Sequence, residues 1–107
     1  MIWGSQYDAM LNFALTGNDK SKVTSTEYGI YTEPVLKTGL TRTSDKINNI
    51  YDLGGNLYEW TSEACYTNGR AGRGGFYRTA FSPAYRSGDY PTGSYPVNSL
   101  RSSLYVK

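Results

Sequence analysis

The stretch that decides the fold is residues 49–61, which read NIYDLGGNLYEWT. A short apolar segment at 50–53 stops at the glycine pair 54–55, and glycine pairs favour tight turns. Residues then alternate through 56–61 with the period of two that side chains have along a β-strand. The stretch therefore predicts an extended segment, a turn and a strand.

The predicted strand carries two large aromatic residues, Tyr58 and Trp60, on one side, and Leu57, Glu59 and Thr61 on the other. Buried aromatic rings remove a large apolar area from water. We therefore expect Tyr58 and Trp60 to belong to the core rather than to a sugar-binding platform.

Upstream, residues 5–16 have the pattern of an amphipathic helix. Apolar residues recur at helical spacing, namely at Tyr7, Met10, Leu11, Ala14 and Leu15. Ser5 is the expected N-cap, with Asp8 completing a capping box, and Gly17 is the expected stop. We expect this helix to pack on the core.

The remaining segments predict short elements between long loops. Residues 17–48 read as a long ordered loop with a short extended piece such as Tyr28–Tyr31. After a break at 68–72, a strand is expected to begin at 73–77. Residues 78–98 are expected to be irregular, and residues 101–106 to close the sheet.

This order of elements favours an α+β fold. We expect one or two short helices, a small and mostly antiparallel sheet, and long irregular loops. A length of 107 residues is typical of one domain, here spanning residues 1–107.

Composition argues against most catalytic chemistry. The chain contains no histidine and one cysteine, Cys65. Its serines therefore lack the base that usually activates a nucleophile. Only Asp52 and Glu59 are candidates for acid–base catalysis by a pair of carboxylates. Cys65 is expected to be a small buried side chain. The sequence predicts a binding module and not an enzyme.

Hydropathy and the charge pattern argue against two classes of partner, membranes and nucleic acids. No apolar run reaches the ~18 residues needed to span a bilayer, so membrane insertion is not expected. Residues 1–65 carry a net charge of −3 and residues 66–107 of +5, with the arginines scattered among Tyr, Ser and Gly. Nucleic-acid binding needs cations clustered on one face, so we do not expect a nucleic acid.

Residues 49–61 resemble the signature of the formylglycine-generating-enzyme (sulfatase-modifying factor) domain, which typically reads N-x-Y-D-M-x-G-N-V-W-E-W-T. Residues 73–75 (RGG) resemble that family's R-G-G-S-W strand, and residues 99–101 (SLR) stand where the family usually has G-F-R. Residues 6–9 resemble part of its helix. The resemblance covers about residues 49–107 and implies a C-type-lectin-like fold.

The chain departs from that family in two respects. The strands that precede the family's helix are missing, so the chain is either a minimal version or the C-terminal part of a longer protein. The oxidase's cysteine pair follows the R-G-G strand, whereas residues 76–86 contain no cysteine and Cys65 precedes that strand. The thiolate chemistry of the oxidase is therefore not carried over.

Four motifs of the C-terminal half resemble more closely the variable proteins of diversity-generating retroelements, which occur in phages and bacteria. Their tails read R-G-G … P-A-S-x-R … P-T-x-S … R-x-x-L-Y, and this chain has RGG at 73–75, SPAYR at 82–86, PTGS at 91–94 and RSSLY at 101–105. Such proteins display diversified residues on a fixed scaffold. The resemblance implies a virion or bacterial-surface protein that binds a protein or a glycan on a cell or host.

The composition of residues 76–98 independently favours a binding surface. Tyr gives a large contact area with few rotatable bonds, and aromatic and Arg side chains anchor interfaces. The expected ligand-binding residues are Phe76, Tyr77, Arg78, Phe81, Tyr85, Ser87, Asp89, Tyr90 and Tyr95. The alternative is that the tyrosines are ordinary half-buried residues between turns. If they bind a ligand, replacing Tyr85, Tyr90 and Tyr95 together with serine should leave folding intact.

The resemblance to the oxidase family also implies a calcium site at the glycine turn. Its ligands would be the Asp52 side chain, the Gly55 and Leu57 carbonyls, and Glu59. Hard oxygen ligands suit calcium. The alternative is that Asp52 caps the turn and that Glu59 pairs with Arg73 or Arg101.

The leading interpretation is a non-catalytic ligand-binding domain that presents residues 76–98. One alternative is an oxidase of the formylglycine-generating type, which the missing cysteines disfavour. Another is a structural component of a phage tail.

Overall fold

The computed structural model describes residues 1–18, 20–26, 28–29, 35, 37, 46–93 and 95–102. Its elements are α1 (Gly4–Leu15), a 3-10 helix (Lys20–Val23), β1 (Lys46–Ile47), β2 (Ile50–Tyr51), β3 (Tyr58–Tyr66), β4 (Gly69–Arg73), β5 (Arg86–Asp89) and β6 (Asn98–Leu100). The predicted α+β class is confirmed.

The main sheet has the strand order β5-β4-β3-β6. β4 pairs antiparallel with both β3 and β5, whereas β6 runs parallel to β3, with Asn98 opposite Tyr58. Ile2 extends the parallel side of β3 through a bridge with Thr61. The sheet is therefore small and mixed, with antiparallel pairing on one side of β3.

A second, two-stranded sheet is the hairpin β1–β2. Its turn residues Asn48 and Asn49 have φ values of 46° and 65°, which is the left-handed backbone that tight hairpin turns require and that Asn tolerates. The Asn48 side-chain amide donates to the Phe13 carbonyl at 2.9 Å. The turn is thereby fixed to the end of α1, at a carbonyl that Thr16 also contacts.

The predicted helix is confirmed within one residue at each end, but its predicted cap is wrong. Trp3 is the N-cap, and its N–H donates to Gln6 Oε1 at 2.8 Å. Asp8 instead pairs with Arg73 at 2.7 Å. The predicted capping box does not form because the Asp8 carboxylate pairs with Arg73, which is distant in sequence. A local pattern of side chains does not reveal such a partner.

The core lies under the buried face of α1. Its buried members are Ile2, Tyr7, Leu11, Ala14, Val23, Tyr28, Ile47 and Leu53. Tyr7 is fully buried, and its hydroxyl donates to the Leu53 carbonyl at 2.9 Å and to the Pro83 carbonyl at 3.2 Å. The Tyr7 side chain thus connects α1 to both the glycine turn and the segment before β5.

The faces of β3 differ from the prediction. Glu59 and Thr61 are buried, whereas Tyr58 and Trp60 are only half-buried and lie outside the main core cluster. The expectation that the aromatic side forms the core is therefore wrong. Alternation separates two sides of a strand, but it does not tell which side the helix covers.

Three further segments differ from the expected boundaries. β4 ends at Arg73, where a strand was expected to begin, and β5 lies within the stretch 78–98 that was expected to be irregular. β6 precedes the expected closing strand, of which residues 103–106 lie outside the described residues. Residues 30–31 of the expected extended piece also lie outside them. Within the described part of the chain, no helix is long and apolar enough to cross a membrane.

Candidate functional site

The candidate surface begins where β4 is fixed to α1. Arg73 is 2% exposed, and its guanidinium pairs with Asp8 at 2.7 Å and Glu63 at 3.1 Å while lying 4.8 Å from the Tyr7 ring centre. Arg86 on the neighbouring strand also pairs with Glu63, at 3.0 Å. These contacts give the following loop a rigid origin.

Two glycines then turn the chain out of the sheet. Gly74 and Gly75 have φ values of 82° and 78°, a region that side-chain-bearing residues rarely adopt. The Gly55 N–H donates to the Gly74 carbonyl at 2.8 Å, and the Gly74 N–H donates to the Tyr85 carbonyl at 3.1 Å. The loop 76–85 therefore leaves and rejoins the scaffold at one point.

Three of the predicted ligand-binding residues form a ring stack together with Tyr58, and we define the ring stack as Tyr58, Phe76, Phe81 and Tyr85. Phe81 and Tyr85 are stacked with centroids 3.7 Å apart, and Tyr58 lies 5.1 Å from Phe76. Burial is the main cause that raises the pKa of Tyr58, and a hydrogen bond with Ser87 opposes it. All four are half-buried, so the ring stack covers the sheet face opposite α1.

In the same loop, Tyr77 and Arg78 follow Phe76 and contact each other. The Tyr77 ring contacts Phe76 edge-on at 6.1 Å, and the Arg78 guanidinium lies 5.3 Å from the Tyr77 ring centre. Arg78 is exposed. Of these two predicted residues, Arg78 is therefore accessible to a ligand, whereas Tyr77 is half-buried, as Phe81 is.

A second group, the tyrosine rim, consists of Tyr66, Tyr90 and Tyr95. Their exposed fractions are 43%, 53% and 40%, respectively. Tyr66 and Tyr90 meet edge-to-face with centroids 5.4 Å apart. Exposed aromatic rings that adjoin one another, unlike single exposed rings, are typical of interaction surfaces.

Asp89 organises the tyrosine rim. Its Oδ1 accepts the Tyr90 N–H at 2.8 Å, and its hydrogen bond with the Tyr95 hydroxyl raises the pKa of that hydroxyl. Asp89 lies on β5, so the rim is held by a strand and not only by loops. The predicted residues Asp89, Tyr90 and Tyr95 are thus brought together, apart from the ring stack.

Sequence reasoning missed Tyr66 and misjudged Cys65. Tyr66 ends β3 and packs over Gly69, which offers no side chain to displace it. Cys65 is exposed, contrary to the prediction that it is buried, because β3 extends past α1 at this end. The signal in the sequence is Gly69, because a glycine in a strand can mark the close approach of a large side chain as well as a break.

No protein-family model, curated protein or solved structure matches this chain. The function of the surface is therefore inferred from its own geometry and from the sequence motifs.

The glycine turn holds an arginine at the position considered for calcium. Arg101 Nε donates to Glu59 Oε1 at 2.9 Å and to Oε2 at 2.7 Å, and its Nη2 contacts Oε1 and donates to the Tyr51 carbonyl at 3.0 Å. Burial raises the pKa of Glu59, and the guanidinium opposes that shift. This is the arginine pairing that the sequence offered as the alternative.

The four residues considered as calcium ligands fit the ion poorly. Both oxygens of Glu59 face a permanent cation, which would repel a divalent ion. The Asp52 and Gly55 residues are buried, and Leu57 is half-buried. Among the described residues, no group of three or more His, Cys, Asp or Glu side chains could hold a metal.

Adding calcium to chelator-treated protein is accordingly expected to leave the melting temperature unchanged, because the Glu59 carboxylate of the site considered is already paired with Arg101. Scanning calorimetry with and without millimolar calcium is the measurement, with magnesium as the matched control. A rise in melting temperature that saturates with calcium alone would contradict the expectation, since ligands of the folded state stabilise it.

Serine substitutions should separate the ring stack from the rim. We expect Tyr85→Ser to lower the free energy of unfolding by about 1.5–3 kcal/mol, because it removes a half-buried stacked ring. Tyr90→Ser and Tyr95→Ser should each cost about 1 kcal/mol or less, since their rings are exposed. The triple variant is therefore expected to be less stable than the wild type. Chemical denaturation of the three single variants measures how much each tyrosine contributes to that loss.

Proposed function

We propose that the chain is a non-catalytic ligand-binding domain that presents residues 76–98 to a protein or a glycan on a cell or host surface. The motif resemblance supports a C-type-lectin-like fold and a role as a variable protein of a diversity-generating retroelement. On this proposal the domain acts on a phage virion or a bacterial surface.

The observation that carries the proposal is the tyrosine rim. Three partly exposed tyrosines lie around one carboxylate, Asp89, which accepts the Tyr90 backbone N–H and holds the Tyr95 side chain through its hydroxyl. Rigid aromatic side chains lose little conformational entropy on binding. Such an arrangement favours recognition over a purely structural role.

The scaffold supports the same proposal. Arg73 and Arg101 anchor both ends of the segment in buried or partly buried ion pairs, while Arg78, Tyr90 and Tyr95 remain exposed. Binding residues are commonly carried on loops that a rigid framework positions. A segment that is anchored at Arg73 and Arg101 and exposed between them also suits a protein in which the residues between the anchors are diversified.

The test is binding of the fluorescently labelled domain to a printed glycan panel and to intact bacterial cells. We expect the double variant Tyr90→Ser/Tyr95→Ser to weaken binding about 30-fold or more, since even a single interface anchor contributes about 2 kcal/mol or more. Phe13→Ser is the matched control, because it removes an exposed aromatic ring from α1. Equal losses in both variants would overturn the proposal. Absence of binding to any glycan or cell would favour the structural phage-tail alternative.

A further inference from the structure

Two turns beside the tyrosine rim enclose a groove that shares only Tyr90 with the predicted ligand-binding residues. One is the β3–β4 turn at 67–68, and the other follows β5 at 91–92. The groove has a volume of about 410 Å³ and is lined by Thr67, Asn68, Arg70, Tyr90, Pro91 and Thr92. That volume lies within the range of small-molecule sites.

Arg70 gives the groove its charge. Its Nη1 donates to the neighbouring Gly69 carbonyl at 3.0 Å, and within the described ranges Arg70 forms no ion pair. Asp89 lies opposite Arg70 in the β4–β5 ladder, but its carboxylate accepts from Tyr90 and Tyr95 instead. The remaining guanidinium donors are therefore available to an anion, and guanidinium groups match carboxylates in shape and charge.

The rest of the lining suits a sugar. The Tyr90 ring is 53% exposed, and such a ring can cover the apolar face of a pyranose. The hydroxyls of Thr67 and Thr92 and the amide of Asn68 both donate and accept hydrogen bonds, as sugar hydroxyls do. The lining offers no deep apolar pocket of the kind that anchors a peptide side chain.

We propose that this groove binds a sugar that carries a carboxylate, such as a uronic acid or a sialic acid. The inference rests on the proposed function and names its ligand class. The Arg70 guanidinium pairs with the sugar carboxylate, and the Tyr90 ring stacks on the pyranose. The net charge of +5 over residues 66–107 also attracts an acidic glycan to this half of the domain.

The test is titration of the ¹⁵N-labelled domain with matched sugar pairs, followed by two-dimensional NMR. Sodium glucuronate is compared with its neutral methyl ester, and 3′-sialyllactose with lactose. We expect each acid, or one of the two, to bind at least tenfold more tightly than its neutral partner, with shifts in the amides of 67–70 and 90–92. Which pair responds distinguishes a uronic from a sialic acid.

Two variants assign the roles. Arg70→Gln should abolish the tenfold preference for the acid and leave the weaker binding of the neutral sugar unchanged, whereas Tyr90→Ser should weaken both. Lys20→Gln is the control, because it removes one exposed cation from the 3-10 helix. Equal effects of Arg70→Gln and Lys20→Gln would show general charge attraction and overturn the inference.

The outcomes separate the two proposals. If the domain binds neutral glycans or cells through the tyrosine rim but shows no preference for acidic sugars, the inference fails and the proposed function stands. If a glutamate-rich peptide displaces the probes or binds more tightly than they do, the groove is a peptide site and the inference fails. If no partner binds in either experiment, both proposals fail.

Discussion

Replacing Arg101 with methionine is expected to lower the free energy of unfolding by about 3–5 kcal/mol, the usual cost of removing one partner from a buried ion pair. Glu59 is 7% exposed and would be left in the interior without the guanidinium that now contacts both of its oxygens. Chemical denaturation measures the loss. The melting temperature should fall by at least about 12 °C for a domain of this size.

The loss in Arg101→Met should depend on pH. Without Arg101, the pKa of Glu59 in the folded state rises still further above its ordinary value of 4.5, because burial and the nearby Asp52 carboxylate then act on it unopposed. A raised folded-state pKa gives stability that is present below the unfolded-state pKa and is lost as pH rises through the folded-state pKa. The deficit relative to wild type should therefore be largest at pH 7 to 8 and shrink toward pH 4.5.

A double variant provides the control. Glu59→Met/Arg101→Met removes both charges and fills the site with apolar groups, which is often nearly neutral when a buried pair is replaced. It should recover most of the stability and lose the pH dependence. If the double variant is as unstable as Arg101→Met at every pH, packing and not the buried charge accounts for the loss.

The second large effect is expected for Gly74→Ala, at about 2–5 kcal/mol. The backbone at Gly74 has a φ of 82°, and a left-handed conformation costs a side-chain-bearing residue about 1–2 kcal/mol. The new Cβ would also lie 2.5 Å from the Leu53 carbonyl oxygen and 2.8 Å from the Tyr7 hydroxyl. Overpacking of this kind adds about 1–3 kcal/mol.

Gly72→Ala is the matched control, two residues away on β4. There the nearest atoms to a new Cβ belong to the Tyr58 side chain at 3.6 Å, which is ordinary van der Waals contact. We expect a change within about 0.5 kcal/mol. Equal melting temperatures for the two variants would show that Gly74 is not under the constraint described.

The sequence was sufficient for elements whose determinants are local. The helical spacing of residues 5–16 predicted α1, and the alternation at 56–61 predicted the start of β3, because both patterns reflect the geometry of single elements. The pairing of Glu59 with an arginine was also foreseen, as one of two alternatives. Choosing between Arg73 and Arg101 required the parallel β6, which no local pattern indicates.

The errors arose where distant residues decide the environment. Glu59 and Thr61 are buried because α1 and Arg101 cover their side of β3, and a two-residue period cannot identify that side. β4 is not predicted because glycines favour breaks in a strand pattern, whereas Gly69 lies within β4 and makes room for the ring of Tyr66. For the binding surface, composition found the tyrosines of residues 76–98, but only the fold separates the ring stack from the rim.

The parallel pairing of β6 with β3 has a consequence for the order of folding. β3 and β4 are joined by a turn at 67–68, whereas Asn98 reaches Tyr58 only after the whole intervening segment has been enclosed. Loop closure costs more entropy for longer segments, so the hairpin should form early and the Glu59–Arg101 pair late. In stopped-flow experiments, Arg101→Met should then leave the folding rate almost unchanged and accelerate unfolding about a hundredfold or more. The last contact to form would determine how long the native state persists.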